Sequence, residues 1–76
     1  MTEIITKKFN DGTPNVLKTQ KYGIDWPVVY ILNNKEEAYI GETTNASIRA
    51  SQHLKNDVRR KLNTINIIGD DKLINQ

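Results

Sequence analysis

Seventy-six residues without a cysteine make one small domain, with no disulfide to brace it and no thiolate to hold zinc. The single histidine, His53, would need several carboxylates beside it to complete an all-protein zinc site, which argues against one. The net charge of +2 is small but uneven: between Arg49 and Lys61 stand Arg49, Lys55, Arg59, Arg60 and Lys61 against only Asp57, a local excess of +4 that suits phosphates, although such a run also serves as a solvated helix face.

No apolar run approaches the roughly 20 residues that span a bilayer. The first ten residues, MTEIITKKFN, lack the apolar core of a secretory signal. The expectation is a soluble, cytoplasmic protein, and the absence of cysteine fits a reducing compartment. There is no internal repeat and no low-complexity segment.

In chain order, residues 1–9 alternate in a way that allows an edge strand, and Asn10-Asp11-Gly12-Thr13-Pro14 is turn chemistry. Residues 15–22 allow two helical turns with Val16 and Leu17 as the apolar side chains, stopped by Gly23. Trp26, placed before Pro27, is held extended and is expected as a core or sheet-edge plug. The β-branched and aromatic run 28–32 predicts a strand, 33–36 a turn, and 37–40 the returning strand of an antiparallel hairpin that ends at Gly41. Whether Tyr30 and Tyr39 share a face depends on a register that residue types alone leave open.

Glu42-Thr43-Thr44-Asn45 supplies helix N-cap residues, and a helix is expected over 46–55. Ala46, Ala50 and Leu54 recur every four residues as a narrow apolar stripe, with Arg49 and His53 stacked along one edge of it. Ile48 falls on the opposite side. Asp57 is a candidate cap for a short helix over 58–62, and 64–68 is a third strand followed by a turn at Gly69-Asp70-Asp71. Residues 72–76 are too short to assign. The sum is an α+β domain: a small three-stranded antiparallel sheet flanked by helices.

Residues 28–54, VVYILNNKEEAYIGETTNASIRASQHL, carry five polar or glycine positions in a telling order. They are Tyr30 in Val28-Val29-Tyr30, Tyr39 and Gly41 in Tyr39-Ile40-Gly41, Arg49 ten residues after Tyr39, and His53 one helical turn later. Thr43-Thr44-Asn45 precedes the helix. This stretch resembles the core of the GIY-YIG nuclease family. Valine replaces the first glycine and the next residue of that signature, which still favours a strand, and the gap between the tyrosines is short. The family also carries a metal-binding glutamate on a helix after the third strand. No glutamate follows Glu42 in this chain, and Asp70 and Asp71 come too early to replace one. The resemblance therefore implies a GIY-YIG-like fold without its C-terminal helix, in an N-terminal fragment of a larger protein.

The resemblance implies metal-dependent hydrolysis of DNA phosphodiesters, incomplete in this chain. Magnesium or manganese would be expected in the intact domain, with none bound by residues present here. Tyr30 would help deprotonate the attacking water, and Tyr39 would hold the phosphate or the water. Arg49 would neutralise charge on the phosphate, where a planar guanidinium fork suits better than an ammonium. His53 would orient Tyr30 or shuttle a proton. Gly41 would allow close backbone packing at the strand-to-helix turn. Lys55, Arg59, Arg60 and Lys61 would supply further contacts to nucleic acid. Singly, the tyrosines are ordinary strand residues, the arginines surface residues, and His53 a packing residue; the joint spacing is what argues otherwise. Two alternatives stand beside the endonuclease reading: a non-catalytic nucleic-acid-binding or targeting module of the same fold, and a small protein-interaction domain with an exposed sheet edge.

Overall fold

A computed structural model describes residues 2–70. Four strands, β1 (Thr2–Lys8), β2 (Val28–Asn33), β3 (Ala38–Thr43) and β4 (Thr64–Asp70), form one antiparallel sheet in the order β1-β4-β2-β3. Helix α1 (Thr13–Leu17) lies between β1 and β2, and α2 (Ala46–Leu54) follows β3. A 3-10 turn, Arg59–Lys61, leads into β4. The domain is α+β, with four strands rather than three. The extra strand is the N-terminal segment, which pairs along its whole length with β4, from Thr2↔Asp70 to Lys8↔Thr64. Its local pattern allows a strand; only a partner some sixty residues away makes it one.

The sheet has one covered and one open face. On the covered face a row runs Ile5–Ile67–Tyr30–Gly41, and the next runs Lys7–Ile65–Leu32–Tyr39. Against it pack Leu17, Tyr22, Ala46, Ala50 and Leu62, which complete the core with Phe9 and Val28. Burying each large side chain contributes roughly 1.5–3 kcal/mol, offset by the entropy of ordering the chain. The open face carries Ile4, Ile68 and Val29 in one row and Ile31 and Ile40 in the next. Ile4 and Ile40 remain 66% and 67% exposed.

Helix α1 is shorter than the sequence predicts. Asn10 builds the turn that precedes it, its Oδ1 accepting from Gly12 N at 2.9 Å, and Pro14 suits the first helical turn, where a missing N–H is harmless. After Leu17 the chain tightens into turns, with Thr19 and Gln20 N–H donating three residues back. It then returns so closely that a Cβ at Gly23 would lie 1.5 Å from the Leu17 carbonyl oxygen. Gly23 thus allows the close return beneath α1 and does not end the helix itself. Leu17 is fully buried, whereas Val16 faces solvent. Trp26 packs edge-on to Tyr22, ring centroids 5.1 Å apart, and donates its indole N–H to Asp70 O at 3.2 Å, so it closes one end of the sheet.

Three further boundaries differ. β3 runs through Gly41 to Thr43, so that glycine does not end it. β4 extends through Gly69 and Asp70, which are strand residues and not a turn. The 3-10 turn is prepared by Asn56 and not by Asp57: Asn56 Oδ1 accepts from Val58 N at 3.0 Å and Arg59 N at 3.1 Å. Asp71 and residues 72–76 lie outside the described residues. No helix among the described residues is long and apolar enough to cross a bilayer.

Candidate active site

The hairpin register decides how the two tyrosines meet. Tyr30 pairs with Gly41 and Leu32 with Tyr39, so both tyrosines project from the covered face in adjacent rows. Their ring centroids are 6.2 Å apart. The Tyr30 ring lies across β3: a Cβ at Gly41 would come within 2.5 Å of its Oη and 2.6 Å of its Cζ. Gly41 therefore allows close packing, as the floor on which Tyr30 rests, but from within β3 and not at the strand-to-helix turn.

Helix α2 brings the third group. Asn45 caps it, its Oδ1 accepting from Ile48 N at 3.0 Å, which satisfies one of the unpaired donors of the first turn. Ala46, Ser47, Ala50 and His53 turn inward, and Ile48 faces solvent. Ser47 ties α2 to α1 through Oγ donating to Pro14 O at 2.7 Å, and to the segment after α1 through its N–H donating to Gly23 O at 2.8 Å. Two turns later His53 reaches the sheet, with Nε2 2.7 Å from Tyr30 Oη. Both side chains are all but buried, at 4% and 3% exposure. The imidazole also meets Tyr39 edge-on, centroids 5.0 Å apart.

Arg59 closes the cluster from the 3-10 turn. Its guanidinium lies 4.0 Å from the Tyr39 ring centroid, and Nη1 is 3.4 Å from His53 Nδ1. A cation over the ring face is attracted by its quadrupole. Arg49 is exposed on α2, one turn before His53. Lys55, Arg60 and Lys61 are exposed and take no part in the aromatic cluster. Of the basic run, Arg59 alone joins the tyrosines and the histidine. Sequence reasoning set it among solvated phosphate contacts, because a stacked arginine and a solvated one share the same local pattern. The one usable signal was Asn56, whose side chain favours a turn that can redirect the residues after it.

The neighbourhood shifts two ionisations. Burial raises the pKa of Tyr30 above its ordinary value, helped by Tyr39 and opposed by Arg49 and Arg59. Burial lowers that of His53, and the charges of Arg59 and Arg49 lower it further. At neutral pH the site is therefore a phenol beside a neutral imidazole, with two guanidinium groups acting on both.

No three His, Asp or Glu side chains among the described residues converge on a possible metal position. Glu42 follows Gly41 and so projects from the open face, opposite Val29. Asp70, at the end of β4, accepts from Thr2 Oγ1 on β1 at 3.2 Å. A hard cation needs oxygen ligands, and Glu37 is the carboxylate that lines a small pocket together with Tyr39 and Arg59.

Comparison with protein-family models, with curated proteins and with solved structures returned no match.

Proposed function

We propose that the face formed by Tyr30, Tyr39, Arg49, His53 and Arg59 binds a phosphodiester of DNA, in the manner of a GIY-YIG endonuclease domain. The observation that carries this reading is the 2.7 Å bond between Tyr30 Oη and His53 Nε2, made where both tyrosine rings and Arg59 converge. A cluster built only for packing has no need of a cation against its polar groups, because desolvating one is costly. Arg49 supplies the exposed charge that meets phosphate, and Lys55, Arg60 and Lys61 extend the positive field along the same segment. Tyr39 donates its hydroxyl to a phosphate oxygen. Tyr30, raised in pKa, stays protonated at neutral pH and holds a water by hydrogen bonding.

Strand cleavage in the family this chain resembles uses a divalent metal, and among the described residues no three His, Asp or Glu side chains converge. The role assigned to this face is phosphate binding. A chain without cysteine fits a reducing, cytoplasmic setting for this role.

Fluorescence anisotropy with a short DNA duplex across a salt series tests the reading. Binding should weaken steeply with salt as counterions are released, and Arg49→Ala should lower the slope of log K against log salt by about 1. Binding that ignores both salt and Arg49→Ala overturns the proposal. It would favour a protein-interaction role, for which the exposed Ile4 and Ile40 on the open face are the supporting observation.

A further inference from the structure

A guanidinium group has five donors and no acceptor. Arg59 Nη1 lies 3.4 Å from His53 Nδ1, so the contact is a hydrogen bond only if that nitrogen carries a lone pair and no proton. A neutral imidazole has one N–H, which must then sit on Nε2, the atom 2.7 Å from Tyr30 Oη. We propose that Arg59 is a positioning residue that holds His53 in its Nε2–H tautomer, so that the imidazole donates to the Tyr30 oxygen instead of accepting its proton.

This reverses the sense of the tyrosine–histidine pair. With a lone pair of Tyr30 Oη taken by the imidazole N–H, the hydroxyl hydrogen is directed away from His53. Histidine in this state cannot take a proton from Tyr30 through Nε2. It stabilises negative charge on the Tyr30 oxygen, and a proton lost by Tyr30 leaves on the side away from the imidazole. Two other contacts hold the arrangement. The Arg59 guanidinium lies over the Tyr39 ring, 4.0 Å from its centroid, which holds the group in place, and the turn that carries Arg59 is pinned through its backbone N–H to Asn56 Oδ1 at 3.1 Å. The groups facing His53 are Tyr30 from β2, Tyr39 from β3, Arg59 from the 3-10 turn and Arg49 from its own helix. Among the described residues no carboxylate is one of them to favour an imidazolium.

What this does for a bound phosphate rests on the phosphodiester reading; the tautomer does not. His53 is the chain's one histidine, so a long-range proton–nitrogen NMR spectrum of uniformly 15N-labelled protein shows its two ring nitrogens without ambiguity. At pH 8 without DNA, Nδ1 should resonate as an unprotonated nitrogen and Nε2 as a protonated one. In Arg59→Met, which keeps an aliphatic stem and loses the donor, the two shifts should move toward each other as the tautomers mix, and the imidazole should titrate at higher pH. A protonated Nδ1 in the unaltered chain overturns the proposal, even if every Arg59 variant fails to fold. So does a folded Arg59→Met whose ring shifts and titration are unchanged. The DNA titration fails or succeeds separately: no binding with the expected tautomer removes the phosphodiester reading alone, and binding with a protonated Nδ1 removes this proposal alone.

Discussion

At the scale of single residues, Tyr30 and His53 set opposite pH limits on the fold. His53 has its pKa lowered, by burial first and then by Arg59 and Arg49. The unfolded chain therefore binds its proton more readily. The stability linked to this group is complete above about pH 6.5, the ordinary histidine value, and is lost as pH falls through the folded value below it. Tyr30 has its pKa raised, by burial first and then by Tyr39. Its contribution is complete below about pH 10 and is lost as pH rises through the higher folded value. Melting temperature against pH should form a plateau with a fall on each side, and His53→Gln should flatten the acid side when followed by circular dichroism. Gly41 gives a second expectation at this scale. Its substitution by alanine puts a methyl 2.5 Å from Tyr30 Oη, on a ring already held by His53. Gly41→Ala should cost about 1–3 kcal/mol in urea unfolding, in the range of an overpacked core, and should weaken DNA binding as Tyr30 is displaced.

Among the elements, α2 matters most to the site because one short helix presents both Arg49 and His53. Nine residues are too few to be helical in isolation, so its cap and its packing decide whether it forms. Asn45 supplies the cap, and Thr43 Oγ1 accepts from Asn45 N at 3.0 Å to hold that residue in place. Asn45→Ala should lower stability by about 1 kcal/mol, measured by denaturant unfolding. Because the cap lies at the other end of the helix from His53, the His53 ring signals should persist in the folded fraction.

For the whole molecule, the two faces of the sheet are not equivalent. The covered face is the core, and the open face contributes little to the fold. Leu17→Ala, at a fully buried position, should cost about 2–5 kcal/mol, which is much of what a domain of this size has to lose. Ile40→Thr, at a position 67% exposed, should change stability by no more than about 0.5 kcal/mol. Equal losses for the two, measured by denaturant unfolding, would mean that the open face is covered in solution. The α2 side also gathers the site's charge. Arg49 and Arg59 act on the same two ionisable groups from different elements, so their effects on DNA binding should be coupled and not additive.

The local pattern determined β2, β3, β4 and α2 to within a few residues, because β-branched runs, turn residues and an N-cap cluster act over short distances. Tyr30, Tyr39, Gly41, Arg49 and His53 stood out only through the order in which they resemble the signature of the GIY-YIG family. Tertiary structure decided the rest. β1 alternates whether or not it is paired, and only β4 far along the chain makes it an element and raises the sheet from three strands to four. The hairpin register, set by two strands together, brought the tyrosines onto one face and made Gly41 the floor beneath Tyr30. Arg59 stands in a basic run that looks the same stacked or solvated. Its place over Tyr39 and beside His53 depends on where α2 ends and how Asn56 turns the chain, and the aromatic face it lies over is present only once the hairpin has formed.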